Sequence, residues 1–349
     1  MTSSNALHVV RSAVIAGACG VLLPLAVAAP PAQAIDLKLA DRLPQDHYVA
    51  RYTTSYFIDE VRKATNGAVT IQRYPSERLG KSKDMLNLTK AGVVDMGEYV
   101  PGYLGDQLPL SAVAELPGMV PTACIASSVY QDLARPGAFL DKNELAPAGI
   151  RLLYAVGLPA YQLFTSKKID GLASLKGLKI RSTGAAMDAG LRQLGIVPIR
   201  MSAAELNESF SRGTVDGTSF PAASIYSYDL QKQTKFATTG LSFGSSMTFY
   251  GISTKVWAKL PPDVQRAMTD AGERTTKHGC ALIDKDDKEA LARLEKDGAA
   301  LVRFSPADGQ KFADLLKPVA DEWAQGVDKK GKPGSETLSA FRAALQRQQ

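Results

Sequence analysis

The sequence predicts an α/β protein of two lobes of related design. Three observations carry that reading. Strand-like and helix-like runs alternate as strand, helix, strand, helix, strand, the pattern of an α/β layer with a largely parallel sheet. The unit strand, helix, glycine, strand occurs in both halves of the chain. One helical stretch is too long for a single lobe: Leu260-Pro-Pro-Asp263 opens it, it runs to about Lys296, and Gly298 stops it. At 1.5 Å per residue such a helix reaches roughly 50 Å, enough to lie across both lobes.

Residues 1–34 contain no Asp, Glu or Lys, and Arg11 is their only charged side chain. An apolar run from Ser12 to Ala29 leads to Ala32-Gln33-Ala34. This is the layout of a cleavable secretory signal peptide, so export to the periplasm is expected, with a mature chain from Ile35. Pro24, Pro30 and Pro31 speak against the rival reading of a membrane anchor. Asp36–Ala40 alternates and reads as the first strand. A helix follows from His47 to about Thr65, closed by Asn66-Gly67, which tolerate the left-handed turn. Ala68–Tyr74 is the second strand, Ser82–Lys90 the second helix and Val93–Val100 the third strand. The alternation resumes with strands at Arg151–Tyr154, Tyr161–Thr165 and Gly177–Ser182. A helix over Ala185–Leu194, a strand over Val197–Met201, a helix over Ala203–Arg212 and a strand over Thr214–Gly217 come next. Met247–Trp257 reads as a further strand before the long helix. A turn at Asp328–Gly334 and a short amphipathic helix end the chain. The expected division is 1–34 as signal peptide, 35–158 plus 247–285 as lobe I, and 159–246 plus 286–349 as lobe II.

Composition narrows the function. The chain has 349 residues, 45% hydrophobic and 22% charged, with a net charge of +6, which fits a globular protein. Its densest basic run, Lys329, Lys330 and Lys332, is too short for a nucleic-acid tail, so no nucleic-acid partner is expected. Three Cys and three His disfavour a disulfide scaffold or a His/Cys metal site. Export would let Cys124 and Cys280 form a disulfide, but the reading taken is two buried free thiols. His278 is expected on a packed face of the long helix, and Asp286-Asp287 on a solvated one. Pro75-Ser-Glu-Arg-Leu-Gly80-Lys81-Ser82 nearly spells a phosphate-binding loop, but Pro75 replaces the first glycine, so a turn into a helix is the better reading. There is no G-x-S-x-G, H-E-x-x-H, C-x-x-C or G-x-G-x-x-G. No catalytic residues, cofactor or metal are therefore expected.

Several stretches resemble one family. Val61-Arg-Lys-Ala-Thr-Asn-Gly-Ala-Val-Thr-Ile-Gln-Arg-Tyr-Pro75, then Leu79-Gly80, then Leu86 through Lys90-Ala-Gly-Val-Val-Asp95 look like the first lobe of TRAP (tripartite ATP-independent periplasmic) transporter solute-binding proteins. Leu175-Lys-Gly-Leu-Lys-Ile-Arg181, Met201 with Glu205, Gly213-Thr-Val-Asp-Gly217 and Pro221 resemble the second lobe. The match covers nearly all of the mature chain. It implies a two-lobed periplasmic binding protein fold with a central cleft, hinge strands and a long helix spanning both lobes. It also implies a monomeric carrier, not an enzyme, that hands a small organic acid anion to a small and a large membrane subunit.

Within the resemblance, Arg181 matches the carboxylate-binding arginine. Its own chemistry agrees: a strand end at the sheet's carboxyl edge is a ligand position, and a guanidinium offers a permanent bidentate charge. Sugar-acid-binding members carry a second arginine where this chain has Tyr161, and an asparagine where it has Phe220. Tyr99, Tyr103 and Tyr250 are expected to add ring surface, and His47 to join them from the first lobe. The expected ligand is an aromatic or otherwise apolar monocarboxylate, captured by lobe closure. A C4-dicarboxylate, a 2-oxo acid, or a periplasmic enzyme acting on an organic acid are the alternatives.

Overall fold

The computed structural model describes residues 1–2 and 34–348. The expected signal peptide falls almost wholly outside the described residues. In chain order the elements are β1 (Ile35–Ala40), α1 (Tyr48–Tyr52), α2 (Thr54–Ala64), β2 (Val69–Tyr74), α3 (Met85–Lys90), β3 (Met96–Tyr99), α4 (Pro101–Leu104), α5 (Ala123–Ala134) and β4 (Ile150–Gly157). Then follow β5 (Gln162–Thr165), β6 (Lys179–Ser182), α6 (Ala185–Gln193), β7 (Val197–Arg200), α7 (Leu206–Ser211), β8 (Gly217–Phe220), α8 (Ala222–Ser227) and β9 (Phe236–Thr239). Last come β10 (Met247–Ser253), α9 (Thr254–Trp257), α10 (Pro262–Lys296), β11 (Ala300–Arg303), α11 (Pro306–Leu316), α12 (Val319–Asp328) and α13 (Gly334–Gln346).

Two sheets result. The first has the order β2-β1-β3-β10-β4, the second β11-β9-β5-β8-β6-β7. Both are mixed, not simply parallel: β10 runs antiparallel to β3 and β4, and β5 antiparallel to β8 and β9. These are strands by which the chain changes sheet. It leaves the first sheet after β4, enters the second as β5, returns from β9 as β10, and passes once more through α10 to β11 in the second. β5 and β10 thus pair antiparallel with the strands they join, without the helical crossover that a parallel neighbour needs, whereas β11, parallel to β9, arrives through α10.

The long helix extends over Pro262–Lys296, with Pro at its first turn. It lies on β4, α2 and α5 beside the first sheet and on α8 beside the second. Glycines permit the close approach: a Cβ at Gly272 would stand 2.1 Å from the Leu153 carbonyl oxygen, and one at Gly279 would stand 2.4 Å from Thr53 Cγ2. Thr53 is where the helix expected from His47 to Thr65 divides. Its backbone (φ −121°, ψ −66°) leaves the helical region, and its Oγ1 donates back to the Val49 carbonyl at 2.8 Å. The last helix, α13, packs on both α12 and α5.

Other expectations need correction. Cys124 and Cys280 are not free thiols but a disulfide joining α5 to α10 across 156 residues of sequence. A loop of that length restricts the unfolded chain by about 5 kcal/mol in the chain-entropy account. Asp286 and Asp287 are not on a solvated face. The Tyr52 hydroxyl donates to Asp286 at 2.6 Å, and Asp287 accepts from the Ala223 N–H at the start of α8 at 3.3 Å. Burial pushes Asp287 up to about 6. Asp284, one turn earlier, accepts from Ala123 and Cys124 at the start of α5. Two carboxylates of α10 thus cap one helix on each side, as the charge at helix N-termini favours. His278 is exposed and stacks on Tyr56 at 4.0 Å instead of packing inward. The strand expected over Thr214–Gly217 begins at Gly217 and runs to Phe220. The helix-leading turn at Pro75 stands as expected, with the Glu77 carboxylate accepting from Ser82 N–H and Oγ.

Candidate functional site

Strands β6 and β8 lie side by side and parallel, so Arg181 and Phe220 emerge at the same edge of the second sheet. Arg181 is fully buried, at 0% exposure. Its Nε donates to the Met201 carbonyl at 3.2 Å, and its Nη2 donates to the Tyr103 hydroxyl, which also accepts from the Ala203 N–H at 3.1 Å. Nη1 has no partner among the described residues. The guanidinium carbon stands 5.0 Å from the centre of the Phe220 ring. Arg42 and Arg73, the other well-buried guanidiniums, pair with Glu98 at 3.3 Å and Asp41 at 2.7 Å. Arg181 has no carboxylate within ion-pair range among the described residues. A buried charge left unpaired costs several kcal/mol, so this position is poised for an anion.

The first lobe faces it with a second polar group. Arg42 lies two residues past the end of β1. Its Nη1 donates to the Tyr228 hydroxyl at 2.9 Å, and its backbone N–H and guanidinium both meet Glu98. Burial drives Glu98 up to about 7, against the pull of Arg42. His47 caps α1: its Nδ1 accepts from the Val49 N–H at 3.2 Å. Burial, then Arg42, hold the imidazole pKa well below its usual range, so the ring is neutral. With Nδ1 an acceptor, the proton sits on Nε2, which is buried and unpartnered among the described residues.

Ring surfaces join the two sides. Tyr161 meets Phe220 edge to face at 6.0 Å, Phe220 lies 5.6 Å from Tyr228, and Tyr228 lies 5.2 Å from His47. The lobes touch backbone to backbone beside this wall. A Cβ at Gly184, just after β6, would stand 2.5 Å from the Gly102 carbonyl oxygen in α4. Glu115 sits behind that contact and accepts from Gly102 N–H and Ser246 Oγ. A cavity of about 450 Å³ at the seam is lined by Lys81, Tyr103, Thr183, Arg200, Met201 and Ser202.

The structure therefore brings together Arg181, Tyr103, Tyr161, Phe220 and His47. It does not bring Tyr99 or Tyr250 to them. The Tyr99 hydroxyl meets Thr89 Oγ1 at 2.6 Å and its ring stacks on Phe249, while Tyr250 stacks on Tyr154 at 4.6 Å. Both belong to the first lobe's core. Sequence reasoning missed Arg42, Glu98, Tyr228 and Glu115. The signal for Arg42 was there: it follows a strand end, as Arg181 lies at one.

Two sheets, three crossings and a cleft with a buried unpaired cation define a two-lobed solute-binding fold. The chain belongs to the bacterial extracellular solute-binding proteins, family 7, whose pattern matches residues 39–326, and it is a TRAP solute-binding protein. A TRAP periplasmic solute-binding protein from Bordetella bronchiseptica, solved with (R)- and (S)-mandelate, is 26% identical. It superposes with a TM-score of 0.80 over 90% of this chain and 100% of its own. A TRAP solute-binding protein from Rhodoferax ferrireducens, solved with copurified benzoate, shares the fold (TM-score 0.80, 21% identity, 90% and 98% of the chains). The C4-dicarboxylate-binding periplasmic protein of Rhodobacter capsulatus is 26% identical over 298 residues, 82% of this chain and 84% of that one.

Proposed function

We propose that this TRAP solute-binding protein captures an aromatic monocarboxylate in the periplasm and presents it to small and large membrane subunits, as a carrier and not as an enzyme. One observation carries the reading: Arg181 is a fully buried guanidinium with no carboxylate partner among the described residues and an unpartnered Nη1. A ligand carboxylate on Nη1 would also accept a hydrogen bond from the Tyr103 hydroxyl, since that oxygen already accepts from Arg181 and Ala203. Phe220, Tyr161 and Tyr228 supply the apolar wall for the ligand's body. The mandelates bound to the Bordetella relative support an aromatic body. The dicarboxylate alternative fits less well, because the second buried guanidinium facing the wall, Arg42, already has its charge met by Glu98. The Cys124–Cys280 disulfide supports an oxidising compartment.

Calorimetric titration of the purified protein with benzoate tests this. The wild type is expected to bind, and Arg181→Ala to lose about 3–5 kcal/mol, the usual cost of removing one partner of a buried charge pair. Arg181→Lys should not restore tight binding, because it lacks the planar fork. Near-normal affinity in Arg181→Ala would overturn the reading. Mass spectrometry of ligand released from the protein after long incubation should return the acid unchanged; a product would point to an enzyme.

A further inference from the structure

We infer that the ligand carries, besides its carboxylate, one neutral oxygen that accepts hydrogen bonds from His47 Nε2–H and Arg42 Nε at the first-lobe end of the wall. The inference rests on the carboxylate reading of Arg181 and goes beyond it. Of the buried donors that lack a partner among the described residues, three line this wall: Arg181 Nη1, Arg42 Nε and His47 Nε2. They fall into two sets. Arg181 stands over Phe220, while Arg42 and His47 both meet Tyr228, Arg42 through its hydroxyl and His47 through its ring edge. Phe220 and Tyr228, 5.6 Å apart, form the surface between the two sets. A flat acid lying on these rings with its carboxylate at Arg181 would present its far end to His47 and Arg42.

Charge decides the kind of group. Arg42 is paired with Glu98, and His47 is neutral, so this end offers donors without net positive charge. A second carboxylate would meet the nearby Glu98, whereas a hydroxyl or keto oxygen can accept both donors at no charge cost. Sites built to hydrogen-bond an oxygen discriminate against the analogue that lacks it, because their buried donors are then left unpaired.

The test is a comparison of affinities. Wild-type protein is titrated with benzoate, 3-hydroxybenzoate, 4-hydroxybenzoate and 4-acetylbenzoate, whose added oxygens lie away from the carboxylate, and so is His47→Asn. Asparagine can still cap α1 by accepting the Val49 N–H, but its shorter side chain removes the donor at Nε2. The wild type is expected to favour at least one oxygen-bearing acid over benzoate by about tenfold or more. In His47→Asn that ratio should fall to about one. A purely structural role for His47 would lower all affinities alike and keep the ratio, which overturns the inference. A wild type that binds benzoate as tightly as every oxygen-bearing acid also overturns it while leaving the Arg181 anchor standing. If none of the four acids binds, the anchor reading itself fails and the inference falls with it.

Discussion

Arg42 and Arg181 sit on opposite sides of the cleft, with their guanidinium carbons 5.8 and 5.9 Å from the centre of the same ring, Tyr103. Both are buried, and both emerge at the carboxyl end of a strand. They differ in what meets their charge. Arg42 has Glu98 at 3.3 Å and spends a further bond on Tyr228, while Arg181 has a carbonyl, a phenol and no carboxylate among the described residues. The difference teaches what each is for. A compensated guanidinium holds its surroundings together; an uncompensated one in the same low-dielectric setting keeps its charge for something that arrives. Fold stability and ligand affinity should therefore be separable between them.

The largest expected effect is a crossed one. Arg42→Met strands a buried carboxylate, so the protein should lose about 3–5 kcal/mol of unfolding free energy in denaturant titrations. The loss should be greater at pH 8 than at pH 6, since an unpaired Glu98 is more readily tolerated once protonated. Arg181→Met removes a buried charge that nothing compensates, so the ligand-free protein should melt at or above the wild-type temperature while its carboxylate affinity collapses. If both substitutions lower the melting temperature alike, the two arginines are not distinct in kind.

A smaller effect should strike both sides together. Gly184 has φ −177°, an extended conformation open to any residue, so only its neighbour requires glycine. Alanine there would place its Cβ 2.5 Å from the Gly102 carbonyl oxygen. Overpacking of this kind costs about 1–3 kcal/mol. Because the clash exists only when the lobes are shut, Gly184→Ala should weaken every ligand by a similar factor and leave the melting temperature of the ligand-free protein nearly unchanged. Small-angle scattering of the ligand-bound variant should report a larger radius than the wild type; an unchanged affinity would show that this contact does not limit closure.

How much of this was legible in the sequence follows from which interactions are local. The long helix could be read because its periodicity and its Pro and Gly boundaries lie within one stretch. Arg181 could be read because a strand ending just before Gly184 and a helix marks a ligand edge, and because the surrounding residues resemble a family. Arg42 obeys the same strand-end rule but stands beside Asp41, and adjacent opposite charges read as surface. Only the fold sends Asp41 to Arg73 and Arg42 to Glu98. Tyr99 and Tyr250 lie on opposite faces of the first sheet, Tyr99 against Phe249 and Tyr250 against Tyr154 and across from Glu98, a result of strand pairing and register that alternation alone leaves undetermined. The disulfide, the capping role of Asp287 and the antiparallel entry of β5 and β10 all depend on segments meeting from far apart in sequence.

The smallest effect expected concerns protons. Burial raises Glu115 to about 7, opposed by its bonds from Gly102 and Ser246 and by the fields of Arg181 and Arg42. An anion placed on Arg181 offsets one of those fields, so Glu115 should become harder to ionise when ligand is bound. By linkage, binding then takes up protons near neutrality, and affinity falls as pH rises through 7. A shift of one unit corresponds to about 1.4 kcal/mol, so the change should be at most about tenfold. The sign for stability is the same: with a folded pKa above the unfolded value of 4.5, Glu115 costs the ligand-free protein stability as pH rises from there to about 7. His47, with its pKa lowered, acts in the opposite sense below 6.5, so the informative quantity is the difference between wild type and Glu115→Gln. Titrations at pH 6 and pH 8, in buffers of different ionisation enthalpy, should show proton uptake in the wild type and a flatter profile in Glu115→Gln. A wild-type affinity that does not change between those pH values would mean that Glu115 does not sense the charge on Arg181, and that only the two arginines divide the electrostatics of the cleft.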